Sequence, residues 1–205
     1  NDTATASPKG PLTVTRTLQA ASSSRANAIP LKGPGILEIP VVFGNFSIPG
    51  PQGTDFGYFG GGYSPSPGNF STVDRTDYSN DTTNAVAKGN LTTVHGNASD
   101  SIGNSSYGWV AGGRSYSSTI VDRIDYASDT STASPRGQLS VAVYGQSTTG
   151  SQSYGYFCGA SPAKSIVQRV DYSNDTATAS PKGPLAYQNK NSSGASTTYN
   201  ALPST

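Results

Sequence analysis

The stretch GYFGGG at residues 57–62 decides the fold, because it returns as GWVAGG at 108–113 and as GYFCGA at 155–160. A second block follows each copy, and it reads DRTDY at 74–78, DRIDY at 122–126 and QRVDY at 168–172. From Asp77 to Asp125 is 48 residues, and from Asp125 to Asp171 is 46. Periods of this size are typical of arrays of supersecondary units, each of which packs on its neighbours.

The composition fits an ordered repeat chain of 205 residues. Apolar residues make up 33% and charged residues 12%, against about 45–50% and about 25% in average globular domains. Disordered segments share the low hydrophobicity, but here aromatic residues recur in register. The net charge of +1 gives no electrostatic reason to expect nucleic acid as a partner. No apolar stretch approaches the ~20 residues of a membrane helix, so we expect no membrane insertion.

The middle copy predicts four strands. Residues 107–113 form a short apolar run closed by glycines, and 119–126 place one apolar face opposite a polar one. Residues 131–134 predict a short polar outer strand, and the β-branched run at 139–144 predicts a fourth strand. Residues 145–153 then predict a loop. We therefore expect an all-β fold of four-stranded antiparallel units, with the glycine block as the inner strand.

The pattern resembles the kelch repeat, in which a Gly-Gly pair precedes a tyrosine-bearing strand, a turn and a second hairpin. The Gly-Gly pairs stand at 61–62 and 112–113, while the third copy has Gly159-Ala160. The resemblance implies a kelch-like β-propeller whose blades span about 47 residues. The repeated positions to which we assign a structural role are Gly61, Gly62, Gly112, Gly113, Gly159, Arg75, Asp77, Tyr78, Arg123, Asp125, Tyr126, Arg169, Asp171 and Tyr172.

The sequence of the repeats is also similar to that of tandem-repeat proteins of marine bacterial viruses, especially those that infect cyanobacteria. The matching residues are 56–62, 121–126, 172–179 and 182–185. This resemblance implies a non-enzymatic structural protein of a virion, at the tail, a tail fibre or the capsid surface, with a role in host attachment. It implies a virion or extracellular location, and as partners other copies of the chain or neighbouring virion proteins.

A longer repeat links the two ends of the sequence. Residues 1–12 read NDTATASPKGPL, and the same twelve letters return at 174–185. Either the chain has a super-repeat of 173 residues, or its N-terminal half-blade completes a blade begun at the C-terminus or in a neighbouring subunit. Propellers usually have at least four blades, so we expect homo-oligomerisation or a longer parent chain.

These repeats divide the chain into five parts. They are a half-blade at 1–29 that repeats 174–202, an irregular segment at 30–55, and blade repeats at 56–106, 107–153 and 154–205. The segment 30–55 is rich in proline and carries a dense apolar cluster. Two interpretations stay open for it, an irregular blade strand with long loops or an inter-subunit strand and linker.

The residues give no support to catalysis, a metal or a cofactor. His95 is the only histidine and Glu38 the only glutamate, so neither a metal ligand set nor a Ser-His-Asp triad can be assembled. Cys158 replaces Gly60 and Ala111 of the sister copies, and we expect a small buried residue there. We therefore predict a protein that is not an enzyme and that binds no cofactor.

The Arg-x-Asp pairs of the second block predict a structural belt of ion pairs or hydrogen bonds between blades, with a ligand-binding belt as the alternative. The sequence at 77–82 offers oxygen ligands for calcium, but it lacks the spacing and the glycine of an EF-hand. A turn with side-chain to backbone hydrogen bonds is the preferred interpretation.

Two surface features suggest alternatives to a virion role. Tyrosines predicted on variable loops, at Tyr63, Tyr116 and Tyr144, are candidate glycan contacts. Candidate N-glycosylation sequons lie at Asn1, Asn45, Asn69, Asn80, Asn90, Asn97, Asn104, Asn174 and Asn191. The alternatives are a glycan-binding propeller module and a secreted glycoprotein that polymerises into extracellular fibrils.

Overall fold

A computed structural model describes most of the repeat region. It describes residues 20–23 (backbone only), 56–65, 68–80, 82–113 and 118–196. The described chain is all-β and consists of three separate four-stranded sheets, each purely antiparallel. The predicted all-β class is therefore confirmed, and each unit has four antiparallel strands, although these are not the four that were predicted. The segment 30–55 and most of 1–29 lie outside the described residues.

Each sheet is a meander, with its strands side by side in chain order. The first sheet comprises β1 (Ala20–Ser23), β2 (Phe56–Gly60), β3 (Val73–Asp77) and β4 (Val86–Ala87). The second sheet comprises β5 (Ser99–Gly103), β6 (Tyr107–Gly112), β7 (Val121–Asp125) and β8 (Ser134–Pro135). The third sheet comprises β9 (Ser147–Gly150), β10 (Tyr154–Cys158), β11 (Val167–Asp171) and β12 (Ser180–Pro181).

The prediction that the glycine block begins each four-stranded unit is wrong, because it is the second strand of each sheet. β5 precedes β6 and β9 precedes β10, and each is a Ser/Thr/Gly-rich strand at the free edge of its sheet. The boundaries at 56–106, 107–153 and 154–205 therefore cut every sheet between its first and second strands. Polar first strands lack the apolar pattern by which a strand is predicted from sequence. They adopt the strand conformation because they pair with the neighbouring strand, and not because of their composition.

The run at 139–144 is not a strand, contrary to prediction. Leu139 and Val143 are buried, and they belong to the core between the second and third sheets. The run crosses from one sheet to the next, and the backbone N–H of Leu139 donates to Thr119 O at 2.7 Å. β-branched residues favour a strand only where a neighbouring strand can pair with them. Here they are explained by burial in the core between two sheets.

The hydrophobic core lies between successive sheets. The cluster between the first and second sheets contains Tyr58, Val73, Leu91, Val110, Ile124, Tyr126 and Ala133. The cluster between the second and third contains Ile102, Trp109, Ala111, Val121, Leu139, Val143, Phe157, Ala160, Val170 and Ala179. Each sheet thus packs on the next, as in a repeat array that is stabilised by nearest-neighbour interfaces.

The glycine pairs turn the chain where a loop presses against the sheet. Gly112 has φ +77 and Gly113 has φ +120, a region that side chains rarely adopt. A Cβ on Gly112 would lie 2.8 Å from Val143 O, while Gly113 N donates to that same carbonyl at 3.2 Å. In the third copy Ala160 makes the corresponding bond to Asn189 O at 3.1 Å, and Ala160 is not among the positive-φ residues.

Candidate functional site

An aspartate of the second sheet, Asp129, is bound by three side chains of the first sheet. Arg75 Nη1 donates to Asp129 Oδ2 at 2.7 Å, and Tyr58 Oη donates to the same oxygen at 3.0 Å. Lys88 Nζ lies 3.3 Å from Asp129 Oδ1. We call this set of three side chains, which holds an aspartate of the next sheet, an inter-sheet socket. Its carboxylate is charge-compensated and nearly excluded from water, with 10% of the side chain exposed.

The strand register builds the first socket. Tyr58 on β2 stands directly opposite Arg75 on β3, so both side chains project from the same face of the sheet. Lys88 follows β4 immediately, and its N–H donates to Val73 O at 2.8 Å, which anchors the end of the outer strand. Arg75 also stacks on the ring of Phe56, at 3.9 Å from its centroid, and this contact orients the guanidinium.

The third sheet fills an equivalent socket on the second. Trp109 Nε1 donates to Asp175 Oδ2 at 2.9 Å, and Arg123 Nη1 donates to that oxygen at 3.1 Å. Arg136 Nε lies 3.5 Å away. Trp109 pairs with Arg123 in register, and Arg123 stacks over Tyr107 at 4.2 Å. The arrangement repeats the first socket position for position.

Aromatic stacking accompanies each inserted aspartate. Tyr126, which begins the turn before Asp129, stacks on Tyr58 with a centroid distance of 4.6 Å. Tyr172 stacks on Trp109 at 4.2 Å, with an interplanar angle of 7°. Burial raises the pKa of the Tyr58 hydroxyl, and the carboxylate of Asp129 raises it further. Tyr58 therefore stays protonated and acts as a hydrogen-bond donor.

The third sheet has equivalent side chains at the three socket positions, but among the described residues no aspartate contacts them. Tyr156 pairs with Arg169 in register, and Lys182 follows β12. Arg169 stacks over Tyr154 at 4.2 Å, and its Nε is buried without a hydrogen-bond partner. Within the described residues no acidic side chain pairs with Arg169 or Lys182. We call this set the third socket.

The arginines and the aspartates of the predicted Arg-x-Asp belt make different kinds of contact. Arg75 and Arg123 bond across sheets, as the interpretation of a belt between blades requires, but their acidic partners are the turn aspartates. Asp129 and Asp175 were missed by the sequence interpretation. An aspartate recurs in each turn, at Asp81, Asp129 and Asp175, and that recurrence was the available signal.

The aspartates of the second block cap the turns that follow the strands. Asp77 Oδ1 accepts from Ser79 N at 2.8 Å, and Asp171 Oδ1 accepts from Ser173 N at 3.0 Å. Asp125 Oδ1 likewise accepts from Ala127 N at 3.0 Å. The hydrogen bonds from the serine hydroxyl and N–H hold the pKa of Asp77 and of Asp171 below the ordinary range.

These caps support the predicted turn over the calcium alternative. The three-residue 3₁₀ helices Tyr78–Asn80, Tyr126–Ser128 and Tyr172–Asn174 follow the capping aspartates. In the described part of the chain, no group of three His, Cys, Asp or Glu residues is arranged to hold a metal ion. No helix among the described residues is long and apolar enough to cross a membrane.

His95 is buried beside Asp122, a contact that the sequence interpretation missed. His95 Nε2 lies 3.1 Å from Asp122 Oδ2 and His95 Nδ1 lies 3.0 Å from Gly112 O, with both side chains fully buried. Both ring nitrogens thus face acceptors. Burial opposes ionisation of Asp122, but hydrogen bonds from His95 and Thr92 lower its pKa below the ordinary range. The pair joins the loop after the first sheet to the second sheet.

The corresponding contact in the next repeat uses neutral residues. Gln168 stands where Asp122 stands, and its Oε1 accepts from Ser140 Oγ at 2.8 Å and from Val141 N at 2.9 Å. Val143 occupies the place of His95. Because a Gln and a Val fill the same two positions, we assign the His95–Asp122 pair to packing between sheets.

A small cleft runs between the first strands of the second and third sheets. It measures about 190 Å³ and is lined by Ile102, Thr148, Thr149 and residues 194–196. Nearby on β5, burial raises the pKa of Asp100 to about 7. The cleft is too small for most ligands, since drug-sized pockets measure roughly 300–1,000 Å³.

Where the structure describes them, the candidate glycan-contact tyrosines and the cysteine are partly exposed. Tyr63 and Tyr144 are half-buried, and Tyr116 lies outside the described residues. Cys158 is a half-buried free cysteine, and burial raises the pKa of its thiol. Cys158 is thus less buried than predicted, and the raised pKa disfavours the thiolate, which is the reactive form.

The sequons differ in exposure. Asn80, Asn90, Asn174 and Asn191 are exposed, whereas Asn69, Asn97 and Asn104 are half-buried. Asn104 Oδ1 accepts from Ser106 N and Tyr107 N, both at 2.9 Å, so its side chain is part of a turn. Asn45 lies outside the described residues.

Together, the fold and the sockets define an all-β repeat protein built from successive antiparallel sheets. No family model and no curated protein matches the chain. A solved structure described as "Structure of YjhT" is similar, with a TM-score of 0.50 and 11% identity. The match covers 64% of this chain and 50% of the other, so this chain spans about half the length of that protein. At this identity the likeness shows the fold alone.

Proposed function

We propose that this protein is a non-enzymatic structural repeat protein, and that its sheets are consecutive blades of a kelch-like propeller array. One observation carries the proposal: the buried charged side chains of the repeats serve sheet-to-sheet contacts. Arg75 and Arg123 each hold an aspartate of the following sheet. A chain that uses the same contact twice is extended by adding repeats, which suits a scaffold.

The virion role rests on the resemblance of the repeats to those of marine viral proteins. In that role the blades hold loops outward at the tail, a fibre or the capsid surface, for adhesion or decoration. The partners are further copies or neighbouring virion proteins, and surface glycans are candidate ligands. The low charge and the polar, Ser/Thr/Asn-rich loops suit an extracellular or particle surface.

Burial argues against catalysis by the His95–Asp122 pair. His95 is 1% exposed and Asp122 is 0% exposed, so no substrate reaches either ring nitrogen without opening the interface between sheets. Both nitrogens already face acceptors, which leaves neither free to act as a general base.

Quantitative proteomics of purified viral particles tests the virion role. The protein should co-purify with particles at a fixed ratio to the major capsid protein through successive density gradients. Its loss during purification contradicts the role. Binding to a glycan array that is lost on Tyr63→Ala or Tyr144→Ala favours the glycan-binding alternative instead.

A further inference from the structure

The third socket reproduces the side chains of two occupied sockets. Tyr156 and Arg169 face each other in register, as Trp109 and Arg123 do. The backbone after the outer strand is also the same, since Lys182 N donates to Val167 O at 2.9 Å and Arg136 N donates to Val121 O at 2.8 Å. The difference lies in the acid: Arg123 pairs with Asp175 at 3.1 Å, whereas no acidic side chain among the described residues pairs with Arg169.

A glycine beside each socket marks the place of the incoming turn. A Cβ on Gly89 would collide with Ser131 O, and a Cβ on Gly137 would collide with Ala177 O. Both carbonyls belong to the turn of the following sheet. Gly183 holds the same position beside the third socket, and a Cβ there would meet nothing within 4 Å. In the part of the chain that the structure describes, nothing fills the space beside Gly183 that an incoming turn fills beside Gly89 and Gly137.

The sequence contains a second copy of the segment that fills the second socket. That segment is 174–185, and besides the carboxylate of Asp175 it makes two backbone bonds to the second sheet. Gly137 N donates to Asp175 O at 2.7 Å, and Ala179 N donates to Gln138 O at 2.8 Å. Residues 1–12 have the identical sequence, which puts Asp2 and Ala6 at the positions of Asp175 and Ala179.

The place of a first strand beside the third sheet is already taken. Residues 194–196 already lie against β9, where Thr149 Oγ1 donates to Ala195 O at 2.9 Å and Gly194 approaches Thr148 O. This is the place that the first strand of a following sheet would take, since β5 contacts β1 and β9 contacts β5. Compared with the two filled sockets, the third therefore lacks the aspartate-bearing turn and the outer segment that follows it.

We propose that the third socket binds residues 1–12 of a second copy of this chain, with Asp2 held by Tyr156, Arg169 and Lys182. Among the described residues, β3, β7 and β11 already pair with β4, β8 and β12, so none of these three strands is open to residues 1–12. The three described sheets are also fewer than the roughly four blades of the smallest rings. The contact is head-to-tail and extends into chains or larger rings. The inference rests on the proposed structural role.

Sedimentation velocity on the 205-residue chain over a wide concentration range tests the proposal. The protein should self-associate, and Asp2→Asn or Arg169→Gln should each weaken association by about tenfold or more, since each removes one side of a charge-assisted bond. Thermal unfolding at low concentration should be unchanged in both variants. Asp81→Asn is the matched control, because it removes the equivalent aspartate of the first sheet.

A mixing experiment identifies the donor chain. The Asp2→Asn variant keeps its socket, and the Arg169→Gln variant keeps its segment. Each alone should be monomeric, whereas the mixture should form one-to-one dimers through the one intact contact.

Three results would overturn the proposal: a monomer at every concentration, association that Asp81→Asn abolishes and Asp2→Asn leaves intact, or a mixture that stays monomeric. The last would place residues 1–12 in the socket of their own chain, provided that Asp2→Asn lowers thermal stability. Self-association without recovery in viral particles would contradict the virion role and leave this inference standing.

Discussion

Arg123 on the second sheet and Asp175 on the third are joined across the interface, with Arg123 Nη1 3.1 Å from Asp175 Oδ2. The pair is largely shielded from water, since the arginine side chain is 21% exposed and the aspartate 7%. Trp109 Nε1 donates to the same oxygen at 2.9 Å, and the guanidinium of Arg136 lies 3.5 Å away as an ion pair. Three side chains of the neighbouring sheet thus converge on one oxygen, so replacement of Asp175 disturbs all three contacts.

Asp175→Asn should destabilise the protein by about 2–4 kcal/mol, because it leaves Arg123 and Arg136 facing a neutral group in a largely dry site. Chemical denaturation at neutral pH measures the change. Arg169→Gln is the control, since it removes the arginine of the third socket, which holds no acid, and it should cost far less at low concentration. Equal losses in the two variants would contradict the importance of the inter-sheet bond.

Gly112→Ala should cost about 2 kcal/mol or more, because alanine at φ +77 is strained and its Cβ would crowd Val143 O. Gly183→Ala provides the comparison, since open space surrounds that position. Thermal unfolding of both variants at low concentration measures the difference. If Gly112→Ala hardly changed the stability, the loop at Val143 would have to move away freely. That result would contradict the close contact of Val143 O with Gly112 and its hydrogen bond from Gly113 N.

Replacement of His95 by Val should destabilise the protein by about 2–4 kcal/mol, because Asp122 then stays buried without its main partner. The double variant His95→Val/Asp122→Gln should recover part of the loss, since the next repeat contains Val143 and Gln168 at these positions. A double-mutant cycle from denaturation midpoints measures the coupling. Strict additivity of the two single changes would contradict direct contact.

Asp100 should make the protein less stable as the pH rises. Its folded-state pKa of about 7 lies above the ordinary value, so its contribution is complete below about pH 4 and is lost as the pH rises through 7. Asp100→Asn stays neutral, and it should stabilise the protein on the order of 2 kcal/mol at pH 8 and change little at pH 4.

Thermal unfolding from pH 4 to pH 8 measures this trend, and Asp171→Asn is a control of opposite sign. Serine hydrogen bonds lower the pKa of Asp171, so its contribution is present above the ordinary value and is lost as the pH falls. Asp171→Asn should therefore be the less stable variant near neutral pH. A stability difference for Asp100→Asn that does not vary with pH would contradict the assigned pKa.

Sequence periodicity was sufficient to predict the all-β class and three of the four strands of the middle unit. It could not predict which strand of the meander comes first. β5 and β9 are polar strands whose only distinguishing feature is the neighbour to which they bond, while the apolar run at 139–144 satisfies the strand pattern and yet crosses between sheets.

The sequence by itself determined the repeat, the capping aspartates and the glycine turns, because each depends on residues a few positions apart. Only the tertiary structure decided which acid each arginine bonds. Asp129 lies 54 positions from Arg75, and Asp175 lies 52 positions from Arg123. Packing of one sheet on the next brings these charges together, and local spacing carries no record of that packing. For the same reason, the sequence alone does not show that two of the sockets hold an aspartate of the next sheet and that the third holds none among the described residues.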